Sequence, residues 1–460
     1  MRRTVARAAV RFFLERFMEQ NWTSGSVFKS IVRFSLPYLA SYFLQTLYGM
    51  ADLFIVGQFG TVADTTAVSI GSQAMHMLTV MIVGLAMGAT VMISRQTGAR
   101  NSAGAAKAAG NAVSIFMLMS AVLTAVLLLL AGQIVRALAT PGEAAAGTVR
   151  YLTVCFMGIP FITAYNVISS IFRGLGDTKS PMYFVAVACV LNIALDYLFI
   201  GLLGLGPLGA ALGTTLSQTV SVAVSLAVIL RRKDGIRLKK SDFVLEKATA
   251  ADILKVGVPV AVQDGFIQVA FIVITVFANR RGLDDSAAVG IVEKCIGVLF
   301  LVPSSMLSAV SALCAQNLGA GKQERARRTL LYAAAVSAVY GAAVSVIVFF
   351  AAQQVVSVFT RNSRVVLLGG QYLRGYIWDC IFAGVHFCFS GYFCACQKSY
   401  LSFMHNALSI VLVRIPCSYI AARLFADTLF PMGLAAPLGS LLSVAVCLSA
   451  FAVLRKKGAC

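Results

Sequence analysis

The stretch IVRFSLP at residues 31–37 opens an apolar run and returns, 222 positions later, as ILKVGVP at residues 253–259. RQTGAR at 95–100 returns in the same way as QNLGAG at 316–321, 221 positions on. Two echoes at nearly one spacing are more than shared apolarity supplies. The chain therefore reads as two copies of one unit, each with a proline early in its first helix.

The unit is a set of membrane spans. A spanning helix needs about 20 apolar residues at about 1.5 Å rise each. Reading with that window predicts twelve spans, at 34–58, 67–93, 108–131, 149–171, 181–204, 207–230, 252–278, 286–313, 329–352, 370–393, 400–424 and 431–454. Six spans is an even number, so both copies enter the membrane in the same direction and are related by an axis along its normal. The expected fold is all-α, a polytopic membrane protein of twelve transmembrane helices in two pseudo-symmetric six-helix lobes. The predicted parts are an N-terminal segment (1–28), an N-lobe (29–230), a flexible polar linker (231–251), a C-lobe (252–454) and a tail (455–460). Such a pair leaves a cleft between halves where a transporter places substrate.

Composition agrees. The 460 residues are 59% hydrophobic and 12% charged, with mean hydropathy +0.85. A soluble domain carries roughly 25% charged residues, so lipid must be the solvent here. The net charge of +20 does not make a nucleic-acid partner, because the basic residues lie in short loops rather than clustered on a face with stacking aromatics. They orient the chain instead: alternate loops hold 27 Lys and Arg on one side and 7 on the other, which predicts both termini and the linker in the cytoplasm. The 11 cysteines follow no metal-ligand pattern and read as core packing, and His76, His386 and His405 stand too far apart in sequence to suggest zinc. Residues 1–20 carry five arginines without an apolar core, so they are no secretory signal. They read either as a basic helix on the membrane surface or as an over-read ahead of a start at Met18.

A charge at mid-membrane costs about 2.5–3.5 kcal/mol on insertion scales, so each one asks for a reason. The spans contain Asp52, Asp196, Asp264, Glu293, Lys294, Asp379 and Arg414. Asp52 follows Tyr48 by four residues and Asp196 follows Asn192 by four, so each pair shares one helical face. Two carboxylates with neutral oxygens form a hard-ligand set suited to Na⁺. The same two could instead share one proton, since like charges at close range resist joint ionisation. Capping or bonding to neighbouring helices is the structural alternative for both. Glu293 beside Lys294 reads as an internal ion pair, and Arg414 as a partner of Glu293 or of carbonyl oxygens. Asp379 adjoins Trp378, a wall suited to a lipophilic cation or, alternatively, an interface anchor. Pro37, Pro160, Pro259 and Pro303 fall inside spans and are expected to kink them.

These residues resemble the multidrug and toxic compound extrusion (MATE) transporters. The resemblance runs from about Val27 to Leu454 and is carried by SLPYLASYFLQTLYGMADLFIVGQFG (35–60), RQTGAR (95–100), FRGLGDTKSP (172–181), LNIALDYLFIGLLGLGPLGAALGTTLSQ (191–218) and AQNLGAGK (315–322). It implies a two-lobe, twelve-helix antiporter that exports organic, cationic and amphipathic compounds in exchange for Na⁺ or H⁺. The family's N-lobe coupling residues fall on Asp52, Asn192, Asp196 and Thr214, with Thr215 as the alternative if the register slips by one. Tyr48 and Asn166 match its N-lobe cavity residues. One branch of the family carries a Glu where this chain has Ile267 and an Asp where it has Ala383. That departure moves the expected coupling site into the N-lobe and leaves Asp264, Glu293, Trp378 and Asp379 as candidate substrate contacts.

The expected protein is no enzyme, for the sequence has no HExxH, His-rich cluster or serine elbow. No cofactor is expected beyond the coupling ion. The expected partners are small-molecule substrates and membrane lipid, for a monomer in a bacterial-type inner membrane. The alternative function is a flippase for a lipid-linked precursor, disfavoured because acids outnumber bases within the spans. The duplicated halves argue for alternating access over a channel or receptor.

Overall fold

The computed structural model describes residues 22–231, 238–456 and 458. The basic segment 1–20 lies outside them, as do residues 232–237 of the linker. Every described element is a helix. Ten helices are long and apolar enough to cross a bilayer, and two bent pairs raise the number of spans to as many as twelve.

Chain order gives α1 (Val27–Phe59), α2 (Val62–Gly98), α3 (Ser102–Ala137), the bent pair α4 (Gly142–Met157) and α5 (Ile159–Gly174), α6 (Lys179–Asp196) prolonged by a π turn (Tyr197–Leu202), and α7 (Gly206–Arg231). The second set is α8 (Lys247–Asn279), α9 (Leu283–Leu299), α10 (Leu301–Gly319), α11 (Gln323–Ser357), the bent pair α12 (Ser363–Tyr376) and α13 (Asp379–Ala395), α14 (Ser399–Ser409) with a π turn (Ile410–Arg414) leading into α15 (Ile415–Leu424), and α16 (Phe430–Lys456). Bends of 46° and 43° sit at matching places in the two sets, inside the fourth and tenth spans.

The prolines act in two ways. Pro37 and Pro259 lie inside α1 and α8. Pro160 and Pro303 instead fall in the first turns of α5 and α10, just after the breaks at Gly158 and Phe300. A proline lacks the N–H that an interior helical position needs, but a first turn does not use it. These two prolines thus start new helix segments rather than kink continuous ones.

Two compact units emerge, Leu36–Ile253 and Leu254–Cys460, with Gly25–Ser35 grouping with the second. The division therefore falls inside α1. In the first unit the core packs Ile55, Val68, Tyr151, Phe156 and Ile200 between α1, α2, α4 and the π turn. In the second, Ile274, Val292, Tyr372, Tyr376 and Met432 do the same. Small residues let helices approach, as membrane interfaces favour. Gly375 and Gly433 face each other so closely that a Cβ on either would meet the other helix's backbone.

Helix ends are satisfied by side chains. Thr61 and Asp64 form a reciprocal capping box at the start of α2, with Asp64 N donating to Thr61 Oγ1 at 3.2 Å and Thr61 N to Asp64 Oδ2 at 3.0 Å. Such a cap is worth about 1 kcal/mol. Arg281 donates to the carbonyls of Ala422, Phe425, Ala426 and Thr428 while pairing with Asp285 at 3.0 Å, which ties down the loop before α16.

The described part of the linker is no free tether, contrary to the sequence expectation. Fully buried Asn111 of α3 donates to the carbonyls of Asp242 and Val244 at 3.2 and 3.3 Å and accepts from Glu246 N at 2.8 Å. Lys107 pairs with Glu246 at 2.8 Å, and that contact, with Thr249, holds the Glu246 carboxyl below the usual carboxylate range.

Candidate functional site

In the first unit α1, α6 and α7 bring four of the predicted residues together. Asp52 and Asp196 are buried, at 5% and 0% exposure, as is Asn192. Thr214 Oγ1 donates to Asp52 Oδ2 at 3.2 Å, and Asn192 and Asp196 both lie against the Asp52 carboxyl. Thr215 turns away, its hydroxyl donating to the Val154 carbonyl at 3.4 Å, so of the two threonines it is Thr214 that contacts Asp52.

Most of these polar atoms have no hydrogen-bond partner. Asp52 Oδ1, both Asp196 oxygens and the whole Asn192 carboxamide are buried and unpaired. A buried polar atom without a partner costs about 1–3 kcal/mol, and more for a charged group. Here several such atoms point into one place, with no salt bridge to a base among the described residues. A hard cation or a proton satisfies such a set: carboxylate, carboxamide and hydroxyl oxygens are the ligands Na⁺ prefers.

Local structure explains the convergence. The spacing of four residues places Tyr48 and Asp52 on one face of α1, and Asn192 and Asp196 on one face of α6. The helix changes to a π turn directly after Asp196, a feature often met at functional sites. Gly213 of α7 supplies the space, since a Cβ there would collide with Asp196 Oδ1.

Tyr48 is half-buried and lies near Asp52, Tyr165 and Gln218. Asn166 is buried, but its side chain donates to the Ile162 carbonyl of its own helix at 2.8 Å. Sequence reading missed Tyr151 and Cys155 of α4, which lie close to Asp52, and Gln218 of α7. The signal was present: Tyr151 with Cys155 and Thr214 with Gln218 repeat the four-residue spacing that flagged the other two pairs.

The second unit differs from expectation at several points. Arg414 pairs with Asp379 at 2.5 Å rather than with Glu293. Glu293 instead accepts from Thr275 Oγ1 at 2.9 Å, and Lys294 stands on an exposed face of α9. Asp379 is wholly buried and already neutralised, and Trp378 packs on Phe349 at 5.7 Å between ring centroids. Asp379 and Trp378 therefore do not form the expected wall for a lipophilic cation. Asp264 is half-buried on α8. His386 and His405, distant in sequence, meet with ring centroids 5.3 Å apart, but among the described residues no third ligand completes a metal site.

The profile of the MatE family matches residues 37–198 and again 259–420. This protein belongs to the MatE family. The two matches start and end 222 residues apart, so the family unit itself occurs twice in this MatE protein, as the echo of IVRFSLP in ILKVGVP requires. It is a multi-pass membrane transporter by family and by its spans. Among its relatives is the probable multidrug resistance protein YpnP of Bacillus subtilis, 27% identical over 400 residues that cover 86% of this chain and 88% of the other. The probable multidrug resistance protein YoeA of Bacillus subtilis is 24% identical over 377 residues, covering 80% and 81%. A solved outward-facing conformation of a multidrug resistance MATE family transporter shares the fold with a TM-score of 0.89, at 23% identity and coverage of 95% and 98%.

Proposed function

We propose that this MatE protein is a multidrug exporter that drives small organic compounds out of the cytoplasm in exchange for Na⁺ or H⁺. The cation is proposed to bind Asp52, Asn192, Asp196 and Thr214. The observation that carries this reading is the set of buried, unpaired oxygens on Asp52 and Asp196, for which a small cation is the natural occupant. The names of the bacterial relatives support the substrate class.

Coupling then follows from differential affinity. A ligand moves an equilibrium only as far as its affinities for the two states differ, and a full swing takes about 10⁴-fold. Occupancy of the N-lobe carboxylates by cation from outside favours the conformation that releases substrate outward. Loss of the cation to the cytoplasm resets the protein. Asp264 and Glu293, which no salt bridge among the described residues neutralises, are proposed to meet the organic cation, and Tyr48 and Asn166 to line the N-lobe path. The excess of basic residues in alternate loops supports cytoplasmic termini in a bacterial inner membrane.

Efflux from proteoliposomes under separately imposed Na⁺ and pH gradients tests the scheme. One gradient is expected to drive transport in the wild type, and neither in Asp52→Asn or Asp196→Asn at equal reconstitution. Wild-type transport by both variants would refute the assignment.

A further inference from the structure

The second lobe carries a counterpart of the proposed cation site, and its chemistry is inverted. The offset of 222 that relates the two family matches takes Tyr48 to Ala270, Asp52 to Ile274, Asn192 to Arg414 and Asp196 to Ser418. All four of these second-lobe residues line one small cavity, together with Tyr376, and it has room for about one water molecule. Beyond the family match the register moves on slightly, and LGTTLS (212–217) corresponds to LGSLLS (438–443). Thr214 thus has Ser440 as its counterpart, and Ser440 lies beside the Asp379 carboxyl as Thr214 lies beside that of Asp52. Gly439 likewise repeats Gly213: a Cβ at 213 would strike Asp196, and one at 439 would strike the Arg414 stem at 2.6 Å.

At the place where the first lobe collects unpaired acids, the second lobe has neither. Ile274 and Ser418 stand where Asp52 and Asp196 do. A positive group has entered from the α14–α15 span, and one carboxylate reaches it from the break between α12 and α13. The Arg414 guanidinium donates to Asp379 at 2.5 Å and to the Tyr376 hydroxyl at 3.4 Å. Arg414 Nε and Ser418 Oγ remain unpaired on residues that line the cavity, as does Oδ1 of Asp379, the partner of Arg414.

We infer that the second lobe keeps the cation site of the duplicated unit in a permanently filled form, with the Arg414 guanidinium tethered where the first lobe takes an exchangeable ion. A tethered charge cannot leave with the gradient, so the second lobe is insensitive to the coupling ion and the response falls to the first. This deepens the proposed N-lobe coupling and rests on it for its consequence. The filled site itself is a property of the second lobe alone.

The emptied site should accept a free cation of the same chemistry. Arg414→Ala leaves Asp379 buried without a counter-charge, which is expected to lower the melting temperature of the purified protein by about 5 °C. Low-millimolar guanidinium chloride is the probe. It is expected to restore the lost stability of Arg414→Ala in a saturable way, and to do nothing comparable to the wild type or to the double variant Arg414→Ala/Asp379→Asn. A response in Arg414→Ala no larger than in the double variant overturns the inference. Should Arg414→Ala fail to fold, Arg414→Lys and Arg414→Gln decide. Retention of stability by the tethered ammonium and its loss by the neutral amide support a filled cation site, and equal losses overturn it. These melting curves need no transport, so they stand or fall separately from the gradient experiments on Asp52 and Asp196.

Discussion

The N-lobe cluster and its C-lobe counterpart are built on one backbone plan and hold opposite charge balances. Around Asp52 and Asp196 there are two acids and, among the described residues, no salt bridge to a base. Around Asp379 there is one acid locked to Arg414. In both, a glycine on the last helix of the lobe makes room for the ionic group and a hydroxyl leans on a carboxylate. The packing that delivers polar groups into a membrane lobe is thus independent of the charge delivered. Under the proposed coupling, a few side chains at fixed places decide whether a lobe exchanges an ion.

The largest effect that can break this comparison comes from matched substitutions at 196 and 418. Asp196→Asn is expected to abolish ion-driven efflux, while Ser418→Ala, at the corresponding place in the other lobe, changes it less than about twofold because no charge is lost. Both are read as initial rates in proteoliposomes at equal protein. Equal losses would mean that the two lobes share the coupling.

A smaller effect tests the space rather than the charge. Gly213→Ala places a methyl group against Asp196 Oδ1, so the carboxyl must shift within a packed site. Overpacking costs about 1–3 kcal/mol, and about 1.4 kcal/mol of it taken from binding corresponds to roughly tenfold weaker cation binding. The cation concentration for half-maximal transport is expected to rise accordingly, with the maximal rate nearly kept. An unchanged cation dependence would place the ion elsewhere.

The two lobes also differed in how far their sequences disclosed them. Spans were legible because each is a long apolar run, and even the even count per lobe followed. The bend in the fourth span was also legible, since Pro160 stands beside it, but the 377–378 break looks like any other place inside an apolar stretch. Nor was the docking of the linker legible, in which buried Asn111, with Lys107 and Ser114 of the same helix, meets groups about 130 residues away. In the first lobe, four-residue spacing paired Tyr48 with Asp52 and Asn192 with Asp196, and the family pattern added Thr214. Spacing alone could not show that α1 and α6 meet. In the second lobe the decisive pair is Asp379 with Arg414, 35 residues apart on different spans, so the nearer Glu293 and Lys294 drew the attention. Periodicity reports a shared face within a helix, whereas charge pairing between helices depends on a packing that no periodicity encodes.

The smallest expected effect sharpens the comparison most narrowly, because it changes one hydroxyl in each lobe. Thr214→Val keeps the shape of the side chain but removes the donor at 3.2 Å from Asp52. A hydrogen bond is worth about 1 kcal/mol net, so cation affinity should fall about fivefold. Ser440→Ala removes the corresponding hydroxyl beside Asp379, whose charge Arg414 still balances. That variant should melt within a degree or two of wild type and transport with unchanged cation dependence. If the serine variant altered the cation dependence as much as the threonine variant does, the second lobe would be sensing the ion after all, and Arg414 would be a partner of the exchangeable charge rather than its replacement.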